Sequence, residues 1–276
     1  MGGLSIQVSI DGPAGAGKST VSKAVAQALG FIHIDSGAMY RAVTWLALRQ
    51  QADLGDEALL SRIAREAEVR FGLAGGAGIG VEAGIGRSVS EAIQAGNREA
   101  EETMGGSVAG DGAQQVFCQG VNVTEAIRSL EVSAAVSKVA AVAGVRDALV
   151  EAQRQLAASH DVVMDGRDIG TVVLPHAQCK VFLTASPEER ARRRMIEREE
   201  ADNSDGSGGN SGKQNLEAVI AEIRKRDEED MNRAISPLRP AQDSVTIDTT
   251  GMRFAEVVDQ LVELVRARTS SDHSLS

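Results

Sequence analysis

Cysteine is nearly absent from this chain of 276 residues, which carries two, Cys118 and Cys179, far apart and in no metal-ligand spacing. That excludes a disulfide framework and a thiolate metal site, and leaves reduced, structural thiols as the expectation. The four histidines, His33, His160, His176 and His273, form no ligand pattern either. No run reaches the roughly eighteen apolar residues of a membrane span, and no basic segment precedes an apolar core near residue 1. A cytoplasmic protein without a membrane partner is expected. An excess of positive charge is missing too: Lys and Arg number 29 against 39 Asp and Glu, for a net charge of −10. This argues against a nucleic-acid polymer or an anionic membrane as partner. Phosphate chemistry, if present, must come from local clusters of Arg and Lys.

What is present is ordinary globular material, 42% hydrophobic and 25% charged, long enough for one α/β domain with insertions or two small domains. One stretch dominates it. Gly12, Pro13, Ala14, Gly15, Ala16, Gly17, Lys18, Ser19 and Thr20 satisfy G-x-x-x-x-G-K-[ST]. Leu4, Ile6, Val8 and Ile10 read as a strand running in, and Val21, Ala24, Val25, Ala28 and Leu29 recur at helical spacing behind. The glycines let successive N–H groups turn onto phosphate oxygens, and the helix opening at Lys18 aims its positive end at the same anion. Lys18 is expected on the β- and γ-phosphates of a nucleoside triphosphate, with the Ser19 hydroxyl helping to hold Mg²⁺.

Farther along, Phe31 to Asp35 is a short apolar run, followed by a helix with Met39, Val43, Leu46 and Ala47 on one face. The spacing predicts another helix from about Glu57 to Glu68. From Gly72 to Gly86 seven of fifteen residues are glycine, and Val69, Phe71, Ile79, Val81, Val116, Phe117, Val121 and Val123 lie around this stretch in short β-like runs. That texture predicts a small antiparallel sheet with long loops; the alternative is partial disorder over 72–112. A long helical region follows from Val132 to Ala152, then strands over Asp161–Asp165 and Lys180–Thr184. Ser186, Pro187 and Glu189 mark a capped helix start. Residues 202–213, rich in Asp, Asn, Gly and Ser, are expected to form a flexible loop. A charged helix from Leu216 to about Asn232, a strand at Val245–Ile247 and a helix from Phe254 to Arg268 complete the chain. Strands alternating with helices argue for a mainly parallel sheet covered on both faces. Leu4 to Ile10 fits least well, because Ser5 and Ser9 interrupt what should be an apolar central strand.

A GTP-hydrolysing switch would need Asp-x-x-Gly after a core strand and a later Asn-Lys-x-Asp, and the second string is absent. Arginines are present instead, on segments that a parallel sheet would bring to one edge. Asp35 to Arg41, Asp165 to Val173 and Arg226 to Arg233 follow the glycine loop in order. Together the four segments resemble the bacterial cytidylate kinase family, over residues 5–60 and 119–268.

The resemblance implies a P-loop α/β fold with a β-containing insert for the nucleoside monophosphate and a helical lid. The core would span 1–66, 119–186 and 234–268, the insert 67–118, the lid 187–233, and a frayed tail 269–276. It implies transfer of the ATP γ-phosphoryl group to CMP or dCMP by a monomer. Ser36, Tyr40, Arg41 and Arg167 would hold the acceptor phosphate, and Ser137, Arg146 and Asp168 would read the cytosine edge. Arg226 and Asp230 would meet the sugar hydroxyls. Lys18, Arg41, Arg167, Arg193 and Arg233 would stabilise the transferring group, with Arg190 and Arg194 on ATP. The residues alone leave other readings open: Arg192 to Arg194 as a solvated helix face, Arg226 with Asp230 as a surface ion pair, Tyr40 as a core aromatic. A kinase for UMP or a small metabolite, or a non-catalytic nucleotide-binding module, also fits the glycine loop.

Overall fold

A computed structural model describes residues 5–72, 78–82, 114–204 and 215–272. The chain divides into two compact units, Met1–Ile34 with His160–Ser276, and Asp35–Ser159.

The first unit is built on a five-stranded sheet in the order Ile32–Asp35, Val162–Gly166, Gln7–Asp11, Cys179–Thr184, Val245–Asp248. Its strands are β1 (Gln7–Asp11), β2 (Ile32–Asp35), β7 (Val162–Gly166), β8 (Cys179–Thr184) and β9 (Val245–Asp248). β1 runs parallel to both β7 and β8, and β8 parallel to β9. From β1 the chain crosses to β2 on one side, and from β7 to β8 on the other. The carboxyl end of β1 is therefore a topological switch point, where open α/β sheets hold ligands. Helices α1 (Lys18–Leu29) and α8 (Phe254–Asp272) lay Val21, Val25, Leu261 and Val265 against Val8, Ile10, Val163 and Val181. α6 (Pro187–Ser204) and α7 (Leu216–Met231) pair through Ala191, Val219 and Ile223.

Ser9 is fully buried in this sheet, and the reason is Gly170. A Cβ at Gly170 would come within 2.8 Å of Ser9 Oγ and 3.3 Å of Asp11 Oδ2. A branched apolar residue at position 9 would leave that segment no room, so the interruption of the apolar run is a packing requirement.

The second unit holds α2 (Ser36–Arg49), α3 (Glu57–Glu66), α4 (Leu130–Ala140) and α5 (Ala143–Ser159). With them goes the expected small antiparallel sheet, ordered β4, β3, β5, β6, from Gly78–Glu82, Glu68–Gly72, Gln115–Cys118 and Val121–Asn122. Phe71, Leu60, Met39 and Leu149 are buried in this unit. The residues expected to form the insert, 67–118, lie inside it, but the unit also takes α2 to α5.

Several boundaries move. α3 stops at Glu66 instead of Glu68, because Glu68 already pairs with Glu82 of β4, its carbonyl accepts from Gln119 N at 3.0 Å, and Ala67 is extended, at φ −68° and ψ 122°. The long helical region is two helices, α4 and α5, broken near Val142. α8 continues to Asp272, into the tail expected to fray, with Thr269 Oγ1 bonded to Val265 O at 2.9 Å. α6 likewise covers Asp202 to Ser204 of the expected loop. The rest of that loop, and the alternative of disorder within 72–112, fall mostly outside the described residues. Cys118 and Cys179 are both free and buried, and burial pushes each thiol up to about 11, as structural thiols require.

The break between α4 and α5 sets Gly144 directly over α3: a Cβ there would lie 2.2 Å from Ser61 Oγ and 2.6 Å from Ser61 Cβ. Gly144→Ala is expected to lower the stability by about 1–3 kcal/mol in urea unfolding. Adding Ser61→Gly, which removes both clashing atoms, should recover part of the loss. A Gly144→Ala protein as stable as the parent would show that the two helices do not approach this closely.

Candidate active site

The loop between β1 and α1 needs backbone conformations that side chains resist. Gly12, Gly15 and Gly17 sit at φ 151°, 74° and 81°. A Cβ at Gly12 would stand 1.9 Å from Leu183 O, so the loop can leave the sheet here only on glycine. Gly17 is the left-handed N-cap of α1. The first turn of α1 and its helix dipole are thereby placed at the end of β1.

Three consecutive carbonyls of this loop each accept a bond from a cation. Arg167 Nη1 donates to Gly12 O at 3.1 Å, Lys18 Nζ to Pro13 O at 2.8 Å, and Arg190 Nη1 to Ala14 O at 3.1 Å. Carboxylates hold the two arginines in turn. Arg167 Nε meets Asp230 Oδ2 at 2.9 Å, and Arg190 makes a two-pronged contact with Asp227 at 3.0 and 2.6 Å. Arg233 joins Asp230 at 3.6 Å, and Arg194 meets Glu222 at 3.2 Å. Arg193 donates to Glu189 Oε1 at 3.0 Å and to the Thr249 hydroxyl and carbonyl at 3.0 and 2.9 Å. Of the arginine run only Arg192 is exposed; Arg193 and Arg194 are half-buried and paired, and Arg190 is buried. Ser186 caps the start of their helix by accepting from Glu189 N at 3.1 Å.

The start of α1 carries a second network. Ser19 Oγ donates to Asp165 Oδ2 at 2.7 Å, and His33 Nε2 lies 2.7 Å from Asp165 Oδ1. Burial would raise the Asp165 carboxyl, but the His33 and Ser19 bonds and the Lys18 charge outweigh it and hold the group below the usual range. A hydroxyl and a carboxylate in contact are hard oxygen donors of the kind Mg²⁺ takes when phosphates and water complete its shell. Among the described residues no three His, Cys, Asp or Glu gather into an all-protein cage. The pair suits a shared, substrate-borne ion.

In the second unit the Asp35 side chain caps α2, accepting from Ala38 N at 2.8 Å, and its other oxygen takes Arg41 Nη2 at 3.0 Å. A Cβ at Gly37 would sit 3.1 Å from Arg41 Nη1, so glycine lets the guanidinium fold back over the helix start. Tyr40 and Ser36 are buried, and the buried Arg146 guanidinium lies 5.7 Å from the Tyr40 ring centroid. Ser137 is exposed on α4. Of the expected residues, the first unit holds Lys18, Ser19, Arg167, Arg190, Arg193, Arg194, Asp230 and Arg233, and the second holds Ser36, Tyr40, Arg41, Ser137 and Arg146, of which Arg146 lies on the Tyr40 ring. Asp168 is buried just past β7, and Arg226 is half-buried on α7, one turn before Asp230.

The carboxylates Asp11, Asp35, Asp165, Glu189 and Asp227 were not among the expected site residues, nor were His33 and Thr249. Asp165 carries a readable signal, an acid closing the apolar run Val162-Val163-Met164. Asp227 does not, because its partner is 37 residues away. Asp11 accepts from Ile169 N at 2.8 Å and Gly170 N at 2.7 Å, tying β1 to the short π-helical turn Ile169–Val173. Burial pushes its carboxyl up to about 6 against the pull of those donors.

A group raised in the folded state favours folding most below its unfolded value of 3.8, and that contribution is lost as the pH rises through about 6. Asp11→Asn should remove this slope from the stability measured by urea unfolding between about pH 4 and pH 7. It should also cost about 1–3 kcal/mol at neutral pH, because an amide cannot accept from both backbone groups. A variant that kept the slope would assign the titration to another group.

Comparison with known proteins bears on this geometry. A family model described as Cytidylate kinase matches residues 8–267. A cytidylate kinase of Desulfitobacterium hafniense is 42% identical over 269 residues, covering 97% of this chain and 96% of its own. One from Desulforamulus reducens is 44% identical over 259 residues, covering 94% and 96%. One from Bacillus licheniformis is 42% identical over 258 residues, covering 94% and 95%.

Proposed function

The chain belongs to the cytidylate kinase family, and from that we propose that it transfers the γ-phosphoryl group of ATP to CMP or dCMP. The observation that supports this most is the set of cations on the phosphate loop. Lys18, Arg167 and Arg190 reach three successive carbonyls, with Arg193 and Arg233 beside them.

In the transfer, an oxygen of the acceptor phosphate forms a bond to the γ-phosphorus. The bond from that phosphorus to the β,γ-bridging oxygen breaks, and ADP leaves with the electron pair. The attacking oxygen is already ionised, so no residue has to remove a proton. The work is alignment and charge neutralisation. The loop N–H groups and the α1 terminus hold the donor phosphates. Lys18 leaves the Pro13 carbonyl for the β- and γ-phosphate oxygens, and Arg167 and Arg233 supply guanidinium forks to the transferring group. On the acceptor side Ser36, Tyr40 and Arg41 hold the phosphate, and Arg226 and Asp230 the sugar. Ser137, Arg146 and Asp168 read the base, a carboxylate being a suitable acceptor for the cytosine amino group. Arg193 and Arg194 serve the ATP side, and Arg190 acts there through the loop. Ser19 and Asp165 would hold Mg²⁺, which would supply charge neutralisation to the transferring group. Among the described residues no helix is long and apolar enough to cross a membrane; the family reading is of a monomer that acts on free nucleotides in the cytoplasm.

ADP release measured against CMP, dCMP, UMP, AMP and GMP should show turnover with the two cytidine nucleotides well above the rest. Equal rates with UMP, or none with CMP, would overturn the substrate assignment. Lys18→Met should reduce kcat/KM by on the order of 10²–10³ while leaving the thermal unfolding transition in place. Asp165→Asn should raise the Mg²⁺ concentration needed for half-maximal rate by about tenfold. It should also weaken the Mg²⁺ dependence of ATP-analogue binding, a readout independent of turnover.

A further inference from the structure

Asp227 has no part in the acceptor or donor contacts above, yet it is one of the few carboxylates buried in this unit, with its partner Arg190 at 3% exposure. The guanidinium of Arg190 is saturated on nearly every side. Nε donates to Ala185 O at 2.9 Å, Nη1 to Ala14 O at 3.1 Å and Asp227 Oδ1 at 3.0 Å, and Nη2 to Asp227 Oδ2 at 2.6 Å. Its backbone is also close to the loop: a Cβ on Gly15 would stand 3.3 Å from Arg190 Cβ and 3.4 Å from Arg190 O. A side chain so confined is poorly placed to swing out to a ligand. It is well placed to hold the loop.

The carbonyl it holds matters because of the peptide plane. The C=O of Ala14 and the N–H of Gly15 belong to one trans unit and point in opposite directions. A bond that fixes the Ala14 oxygen therefore fixes the direction of the Gly15 N–H, one of the donors turned toward phosphate. Without it, a buried carbonyl on Ala14, itself 7% exposed, would rotate to find another donor and carry that N–H with it.

We propose that Asp227 is a positioning residue for the triphosphate: it orients the Arg190 fork, which caps the Ala14 carbonyl and aims the next N–H of the loop. The proposal rests on the reading of this loop as the ATP site. Asp230, three residues along the same helix, holds Arg167 against Gly12 O in the same manner. One face of α7 thus braces two points of the loop, while Val219 and Ile223 anchor it to α6.

The test reads nucleotide binding, so failure of CMP turnover in the parent protein would sink the reaction assignment and leave this test able to decide. Arg190→Met with Asp227→Leu replaces the buried pair by apolar groups of similar volume, which buried pairs often tolerate. Calorimetric titration with a non-hydrolysable ATP analogue should show Kd raised about tenfold, with Kd for CMP within about twofold of the parent. An unchanged analogue Kd in a protein with a cooperative thermal transition would overturn the proposal. Asp227→Asn alone should weaken the analogue, and should add nothing further in the Arg190→Met background. Equal weakening in both backgrounds would mean Asp227 acts by another route, and the proposal would fall.

Discussion

A peptide plane that turns its N–H toward a phosphate turns a carbonyl away from it, and inside a protein that carbonyl needs a donor. The glycine loop meets this constraint at three successive residues, and it does so with cations instead of neutral donors. Much else in the first unit follows from that choice. Buried guanidinium groups need carboxylates, which brings Asp227 and Asp230 to the same helix face three residues apart. The carboxylates need a stable backbone, which the apolar seam of Ala191, Val219 and Ile223 supplies. The sheet in turn must let the Arg167 segment come close to β1, which requires Ser9, Asp11 and Gly170 to be as small or as polar as they are.

The same cations have two possible sets of partners. Carbonyl and carboxylate oxygens hold Lys18, Arg167 and Arg233. Phosphate oxygens carry more charge than a carbonyl and accept from the same donors, so exchange would replace one set of bonds by a stronger set. Arg190 differs in that its partners, the Asp227 carboxylate and the Ala14 and Ala185 carbonyls, are all on buried residues. Arg41 repeats the exchangeable pattern in the second unit, folded onto Asp35 over a glycine. Each unit carries its arginines in a guarded state.

The glycine loop, the alternation of strand and helix, and the small antiparallel sheet were legible because each rests on local signals: a motif, a period, a cluster of turn residues. The cap at Ser186 was legible for the same reason. The end of α3 at Glu66 was not, since Glu68 is claimed by Glu82 of β4 and by the Gln119 N–H, and helical periodicity cannot see a competing sheet. The break at Val142 hides for a related reason: Gly144 matters only because Ser61 lies across from it. In the site, the arginines could be placed from the order of their segments. Their carboxylates could not. A salt bridge over 37 or 63 residues of separation leaves no spacing to read, and acidic residues are plentiful enough in this chain to conceal the few that count.

That abundance of acid also bears on how a protein of net charge −10 attracts substrates that are themselves anions. Long-range attraction is not available, because beyond about a Debye length of roughly 8 Å at physiological salt the overall charge is screened. Discrimination therefore has to happen at contact, where a partly buried guanidinium in a medium of low dielectric outweighs distant carboxylates. Pairing Arg41, Arg167, Arg190, Arg193, Arg194 and Arg233 with acids offsets much of their charge locally. A ligand that offers several phosphate oxygens at once, in the spacing set by the loop and by α7, can displace the exchangeable partners of Lys18, Arg167 and Arg233 together. An inorganic ion can replace one of them and gains little by it. The selectivity for nucleotides would then arise less from the strength of any single charge than from the number of internal bonds that must be exchanged in concert.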